Sequence, residues 1–288
     1  MAGHVNSAEN AMSKEISGAS QMLEGKLLSL NAKKASDGTV GKALGVLDQV
    51  AEFGRPVRFG ELLDQSKHPK ATLYRFLQTL VSQRLLAYDT RDQTYSLGIR
   101  LVRLAHAAWK QSTLAPVAAP FIAALAQEVG ETIHLAQMDN GQVLFVGKRK
   151  TIDQFETLAQ TGMVAPAYCT GVGKAILAYL PPERRQRALL QQAYLKYTPA
   201  THASAESLSV ELNQIHADGV AFDREEHERG IISIAAPILT DGGNVIGALS
   251  IATSTTRHSL KGLNSFRPAL LHAAEKIGVE AAVWQFPS

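Results

Sequence analysis

The segment from Phe59 to Tyr88 is predicted to form two helices joined by a turn, and the second helix carries basic and amide side chains on one face. Arg75 and Gln78 are residue types that hydrogen-bond the edges of bases, and basic or hydroxyl side chains beside them can hold phosphates. Those side chains are Lys70, Thr72 and Tyr74. Because backbone N–H groups at a helix start also favour phosphate, Lys70 is well placed near that end. The pattern predicts a surface that contacts nucleic acid.

The same segment is also compatible with an ordinary amphipathic helix that has a solvated polar face. Residues advance about 100° each around a helix, so the apolar side chains share the face opposite Arg75. They are Leu73, Phe76, Leu77 and Leu80. Ser66 is a candidate cap for this helix, and Pro69 suits its first turn. On the helix alone the two interpretations remain open.

A glycine-rich turn, Cys169-Thr-Gly-Val-Gly-Lys174, opens another predicted helix. Backbone N–H groups at such a turn can hold a carboxylate or a phosphate. It is not a Walker A loop, because Tyr168 and Ala175 replace the glycine and the hydroxyl residue of that motif. The alternative is a turn whose glycines serve only close packing.

Carboxylates and a histidine cluster in Asp223-Arg-Glu-Glu-His-Glu-Arg-Gly230, a composition that could form a metal site or an acid–base pair. The spacing matches no zinc signature, and a solvated charged loop is the more ordinary interpretation. An inward-facing Asp223 could still bond a ligand. Cys169 has no recognisable base partner for nucleophilic catalysis. We therefore expect no catalytic residue, metal or cofactor.

The elements around the first segment predict a winged helix-turn-helix. A helix over residues 41–53 precedes the helix pair, and strand-like runs over 85–88 and 93–97 follow it. The polar turn between these strands carries Arg91, a candidate contact to the DNA backbone or minor groove. A helix over 99–111 then links this head to the rest of the chain.

The second half alternates strands and helices in an order that indicates an α+β domain with an antiparallel sheet. Strands are predicted over 132–138, 143–146, 154–160, 220–222, 232–238 and 245–252. Helices are predicted over 172–179, 183–192, 204–218 and 264–282. Residues 1–37 are rich in small and polar residues, and we interpret them as a disordered arm. The expected domains are thus 1–37, 38–98 and 99–288.

Charge and composition agree with this division. Residues 1–112 contain 15 Lys and Arg against 10 Asp and Glu, whereas residues 113–288 contain 14 against 16. A basic front suits a DNA-binding head. The chain has one cysteine, no long apolar run and a polar start, so we expect a cytoplasmic protein without a membrane span.

Several motifs together resemble the IclR family of bacterial transcription regulators over about residues 38–288. They are Lys70-Ala-Thr-Leu-Tyr-Arg-Phe-Leu-Gln-Thr-Leu80, Tyr95-Ser-Leu-Gly98, Glu131-Thr-Ile-His-Leu135, the turn at 169–175 and the stretch 223–230. The resemblance implies a winged helix-turn-helix head, a GAF-like effector domain, and dimers, often paired into tetramers, on palindromic double-stranded operator DNA. Two motifs, Tyr74-Arg-Phe-Leu-Gln-Thr79 and Glu131-Thr-Ile-His-Leu135, resemble those of the family branch that controls sugar-acid (keto-deoxygluconate) catabolism.

The resemblance also implies a small carboxylate effector held by the amides of Gly171 and Val172. The family's side-chain contacts fall on Asp223, Ser233 and Ser250. A further position, often Ser in the family, is Ala252 here, which removes one hydrogen bond. The expected function is a repressor whose operator binding is controlled by an organic or sugar acid. The alternatives are an enzyme acting on a small acid with a head used only for dimerisation, and a winged helix that binds protein.

Overall fold

The structure is a computed structural model that describes residues 38–150 and 157–282. The described residues divide between Ala108 and Trp109 into two compact units. Each unit has its own hydrophobic core, and each is described by itself. The predicted arm over residues 1–37 lies outside the described residues.

The first unit packs three helices against a small antiparallel sheet. Its elements are α1 (Thr39–Glu52), β1 (Val57–Arg58), α2 (Phe59–Gln65), α3 (Lys70–Ser82), β2 (Leu86–Asp89) and β3 (Thr94–Leu97). The strands pair in the order β1-β3-β2. The predicted winged helix-turn-helix is confirmed, and the two-residue strand β1 is an addition that is too short for a sequence pattern to reveal. Helix α4 (Ile99–Ser112) follows and crosses the unit boundary.

The turn between α2 and α3 differs from the prediction in one respect. Ser66 does not cap α3; it ends α2, and its Oγ accepts a hydrogen bond from the backbone N–H of His68 at 3.1 Å. Pro69 is the residue before α3 and has no side-chain cap bond. Ser66 lies four residues before Lys70, so its side chain serves the turn rather than the first amides of α3.

The second unit is a six-stranded antiparallel sheet with helices on both faces. Its strands are β4 (Thr132–Asp139), β5 (Gln142–Arg149), β6 (Val164–Pro166), β7 (Ala221–Arg224), β8 (Ile231–Leu239) and β9 (Val245–Ser254). They pair in the order β6-β5-β4-β9-β8-β7. The helices are α5 (Ala115–Val129), α6 (Gly171–Tyr179), α7 (Pro182–Gln191), α8 (Ala205–Asp218), α9 (Leu260–Leu263) and α10 (Arg267–Ala282). A 3₁₀ turn over Asn264–Phe266 precedes α10.

The two faces of this sheet carry different side chains because neighbours along a strand point to opposite faces. One face holds large aliphatic residues that pack under α5 and α10: Ile133, Leu135, Ile232, Ile234, Leu249 and Ile251. The other face lies under α6, against which α8 packs, and many of its residues are small, including Ala136, Ala221, Ala235 and Ala248. His134, Ser233 and Ser250 lie on this second face, and it leaves room for a cavity between sheet and helix.

One predicted strand is wrong. Of the range 154–160, residues 157–160 form an irregular segment and residues 151–156 lie outside the described part of the chain. The strand in this region is β6, which pairs with β5 through Ala165 and Val143. Backbone oxygens of Thr157 and Ala159 bond to the side chain of Lys148 instead of a neighbouring strand, which explains the difference.

No helix among residues 38–150 and 157–282 combines the length and the apolar composition that crossing a membrane requires.

Candidate functional sites

Helix α3 presents the predicted polar face to solvent. Leu73, Phe76, Leu77 and Leu80 are buried in the core of the first unit, as the helical spacing predicts. Lys70, Tyr74, Arg75 and Gln78 are exposed, and Thr72 is half-buried. The structure therefore brings all five predicted nucleic-acid contacts of α3 onto one accessible surface.

The packing around α3 holds this surface in place. Gln49 of α1 donates from Nε2 to the backbone oxygen of Leu62 in α2 at 2.9 Å. The ring of Tyr74 meets that of Phe59 edge-on, with centroids 6.2 Å apart, although Tyr74 remains 53% exposed. A large exposed tyrosine beside Arg75 suits a phosphate contact better than a core role.

The turn between β2 and β3 carries Arg91, which is exposed. Asp89 shapes this turn, because its Oδ1 accepts hydrogen bonds from the backbone N–H groups of Arg91 at 2.8 Å and Asp92 at 3.3 Å. The wing tip thus offers a cation on a hairpin of the same unit as α3. A winged helix-turn-helix contacts DNA with a helix in the major groove and with a basic wing on the flanking backbone, and this unit has both parts.

The second unit contains a cavity between the small-residue face of the sheet and the start of α6. All six predicted effector residues line it: Gly171, Val172, Asp223, Ser233, Ser250 and Ala252. They come from one helix start and three adjacent strands, so only folding brings them together. Their role in binding stays a prediction.

The glycine-rich turn forms one end of the cavity. Thr170 caps α6, because its side chain accepts a hydrogen bond from the N–H of Gly173 at 3.3 Å. The first amides of a helix have no partner within the helix, so those of Gly171 and Val172 are donors at a positive helix end. Such a position binds anions, including carboxylates.

Gly171 is required by the close approach of this turn to the sheet. A Cβ at this residue would lie 2.6 Å from Oγ of Ser233, 3.4 Å from Cβ of Ala235 and 3.5 Å from the backbone nitrogen of Asp223. The turn therefore lies directly over β7 and β8. The close packing of the glycines is confirmed, and the same packing brings helix amides to the cavity; their binding of a carboxylate stays a prediction.

Asp223 is a buried carboxyl group in the cavity wall. Burial raises its pKa to about 7, and the negative charge of Glu226 adds to the effect. A hydrogen bond from the backbone N–H of Glu226 to Oδ1, at 2.8 Å, acts in the opposite direction. Near neutral pH the side chain is therefore partly protonated, and able to donate a hydrogen bond, and partly ionised.

A buried ion-pair network lies beside the cavity. Lys174 of α6 is fully buried, and its Nζ lies 2.5 Å from Oε1 of Glu226 and 2.9 Å from Oε1 of Glu211. Glu211 also pairs with Arg224 at 2.6 Å and with His202 at 2.5 Å. Burial alone would raise the pKa of Glu211, but the hydrogen bond from His202 and the charge of Lys174 lower it to about 2.

Side-chain atoms of His202, Glu211 and Glu226 lie within 4.8 Å of one another, which is a geometry that a metal ion could use. The ammonium of Lys174 already contacts both carboxylates, so this group has a cation without a metal. The charged stretch 223–230 is not simply a solvated loop, because Asp223 and Glu226 are buried.

Cys169 is buried, and burial raises the pKa of its thiol well above the ordinary value. A thiol in this state is a poor nucleophile, since the thiolate is the reactive form.

Sequence reasoning did not assign five polar residues that line the cavity to the effector site: His134, Thr157, Thr170, His227 and Glu228. His134 stands two residues after Thr132 in an expected strand, so period-two alternation could have placed it on a common face. Thr157 lies in the segment that was misassigned as a strand. His227 and Glu228 belong to the charged stretch and gave no separate signal.

Comparison with known proteins agrees with both units. The model for the IclR helix-turn-helix domain matches residues 39–90, and that for the C-terminal domain of bacterial transcriptional regulator IclR matches residues 106–279. The chain is 30% identical over 258 residues to the HTH-type transcriptional regulator KdgR of Escherichia coli (strain K12), covering 90% of this chain and 98% of that protein.

Solved structures are similar as well. A putative transcriptional regulator from Rhodococcus sp. RHA1 superposes with a TM-score of 0.74 at 25% identity, covering 86% of this chain and 99% of the other. An IclR homolog from Microbacterium hydrocarbonoxydans, crystallised with 4-hydroxybenzoate, gives a TM-score of 0.73 at 23% identity, covering 85% and 100%. With both domain models matched in order along the sequence, the chain belongs to the IclR family of bacterial transcriptional regulators.

Proposed function

We propose that this protein is a transcriptional repressor that releases or retains its operator according to the concentration of a small organic acid, with sugar acids as the leading class. The observation that carries the proposal is the cavity in which the amides of Gly171 and Val172 meet Asp223, Ser233 and Ser250. Helix-start amides supply the carboxylate site, and the hydroxyl and carboxyl groups supply orientation. The family supplies the DNA-binding role of the first unit.

We propose a homodimer that can pair into a tetramer. Helix α4 supports this assembly, because it carries large apolar side chains that solvent reaches: Ile99 is 66% exposed, Val102 62% and Leu104 51%. Exposed apolar side chains on one helix are typical of a protein–protein contact. A two-fold dimer would read a palindromic operator, since each copy contacts one half-site.

The ligand must bind one arrangement of the dimer more tightly than the other in order to change operator binding. A gel-shift titration with promoter fragments from the genome, repeated with a panel of organic and sugar acids, tests both parts. We expect sequence-preferring binding at physiological salt that one class of acid alters. Absence of any sequence preference under all conditions would remove the proposal.

A non-enzymatic role fits the chemistry of the cavity. The thiol of Cys169 stays protonated, and burial together with the charge of Lys148 lowers the pKa of His134 to about 3, so its imidazole is neutral. Neither group is poised as a nucleophile or a base near neutral pH. We place the protein in the cytoplasm because its proposed partner is the bacterial chromosome.

Replacing Arg75 by alanine should weaken specific operator binding by roughly 1–3 kcal/mol if Arg75 hydrogen-bonds a base. Arg75 is exposed on α3, so the substitution should not affect folding. Fluorescence anisotropy with operator and scrambled DNA measures the effect, and Arg187→Ala on α7 is the control. An equal loss for both DNAs would assign Arg75 to a phosphate instead.

Replacing Gly171 by alanine should abolish the response to effector and leave operator binding intact. The added methyl group would lie 2.6 Å from Oγ of Ser233, so this hydroxyl must move and the carboxylate site is blocked. Calorimetric titration with the effector, alongside the operator titration, measures the two activities separately. A variant that still binds the acid with unchanged affinity would show that the ligand does not contact this turn.

A further inference from the structure

The cavity has a second polar wall on β4, away from the glycine-rich turn. His134 lies there, paired in register with Ser250 of β9 and Lys148 of β5. Strands β4 and β8 both neighbour β9, so about 10 Å separates them. A ligand whose carboxylate lies over β7 and β8 therefore needs a chain of several atoms to reach His134.

A chain of hydrogen bonds orients the His134 ring. Lys148 donates from Nζ to Oγ1 of Thr157 at 3.0 Å, and to the backbone oxygens of Thr157 and Ala159 at 3.3 and 2.7 Å. Oγ1 of Thr157 in turn lies 3.0 Å from Nε2 of His134 and 3.4 Å from the oxygen of Ala159. The contact of Oγ1 with Nε2 is the shorter of the two, which favours an orientation in which the hydroxyl of Thr157 donates to Nε2.

This arrangement favours one tautomer of His134. With Nε2 as the acceptor, the neutral ring carries its hydrogen on Nδ1. Within the described residues Nδ1 has no hydrogen-bond partner, and His134 lines the cavity. An N–H group in the cavity wall can donate a hydrogen bond to an oxygen of a bound ligand.

We propose that His134 is a specificity-determining residue whose Nδ1–H hydrogen-bonds a hydroxyl or keto oxygen of the effector, remote from its carboxylate. This inference rests on the proposed function, because it takes the carboxylate to lie at Gly171 and Val172. Lys148 and Thr157 are positioning residues that present the donor. The site therefore selects acids several carbons long that carry an oxygen along the chain.

Calorimetric titration with D-gluconate and hexanoate tests the selection, since the two six-carbon acids differ in their hydroxyl groups. The intact protein should bind gluconate roughly tenfold to hundredfold more tightly than hexanoate, because hexanoate leaves the donor unpaired. His134→Leu should reduce this ratio by tenfold or more. His134→Asn keeps an amide donor near the position of Nδ1 and should retain part of the ratio. His272→Asn, an exposed histidine on α10, is the matched control.

A second measurement does not depend on ligand. ¹⁵N chemical shifts of the imidazole in the full-length protein should show the Nδ1–H tautomer, and Thr157→Val should remove that preference. Equal binding of gluconate and hexanoate, a ratio unchanged in His134→Leu, or an Nε2–H tautomer would each overturn the inference while leaving the carboxylate site intact. If neither these acids nor lactate and propanoate bind, the proposed carboxylate site fails and this inference fails with it.

Discussion

Replacing Lys174 by methionine should lower the free energy of unfolding by about 3–5 kcal/mol, the cost of breaking a buried ion pair by removing one partner. Methionine has a similar length, so the loss is mainly one of charge. Lys174 is fully buried, and its Nζ bonds to Glu226 and Glu211. Without it, the Glu226 carboxylate would lose its closest cation, while its Oε2 already has no hydrogen-bond partner in the described residues.

A second substitution separates charge from packing. The pair Lys174→Met with Glu226→Gln removes both charges, so it should recover most of the stability that the single variant loses. Urea denaturation of the purified proteins measures these differences. Lys196→Met, at an exposed position, should stay within about 0.5 kcal/mol of the original protein. A single variant as stable as this control would show that the network contributes no net stability.

Replacing Asp223 by asparagine should make the protein more stable above pH 7 and leave it unchanged near pH 4. Burial, followed by the charge of Glu226, raises the pKa of Asp223 from 3.8 to about 7, so the folded state keeps a proton that the unfolded state releases. Stability is therefore lost as pH rises from about 4 to 7. The two pKa values correspond to at most about 4 kcal/mol above pH 7.

Several charged groups face Asp223 and set this behaviour. Glu226 and Glu228 raise its pKa, whereas Lys174 and the backbone N–H of Glu226 lower it. Asparagine keeps the oxygen that accepts from that N–H, so the loop conformation is retained. Denaturation curves at pH 5, 6, 7 and 8 should show a widening difference between the two proteins. The control Asp241→Asn, in the exposed turn before β9, should differ from the original protein by the same amount at every pH. A pH-independent difference for Asp223→Asn as well would contradict the prediction.

Sequence patterns predicted the elements of both units well because their periods are strong. The apolar spacing of Leu73, Phe76, Leu77 and Leu80 located α3, and the strands predicted over 232–238 and 245–252 correspond to β8 and β9. Short elements were harder: β6 has three residues and β1 has two, which is less than one full alternation pattern. The irregular segment 157–160 is held by the side chain of Lys148, and a long-range contact of this kind leaves no local signal.

The residues of the cavity were predicted only in part, because some of its contacts join residues that are distant in the sequence. Gly171 stands in a turn whose composition is distinctive, and the family resemblance supplied the positions of Ser233 and Ser250. His134 and Thr157 meet through a bond between residues 23 positions apart, which no motif encodes. The buried state of Glu226 was also hidden, because its partner Lys174 is 52 positions away.

The contrast between the two faces of the second sheet separates stability from recognition. Large aliphatic side chains on one face hold the fold together, whereas Ala, Ser and His on the other line the cavity. Exchanges among small residues at Ser233, Ser250 or Ala252 change which chemical groups the cavity offers without touching the aliphatic packing. If the cavity holds the effector as proposed, we expect a few substitutions on this face to change the preferred acid while the aliphatic packing on the opposite face is retained, which is the separation that biosensor engineering needs.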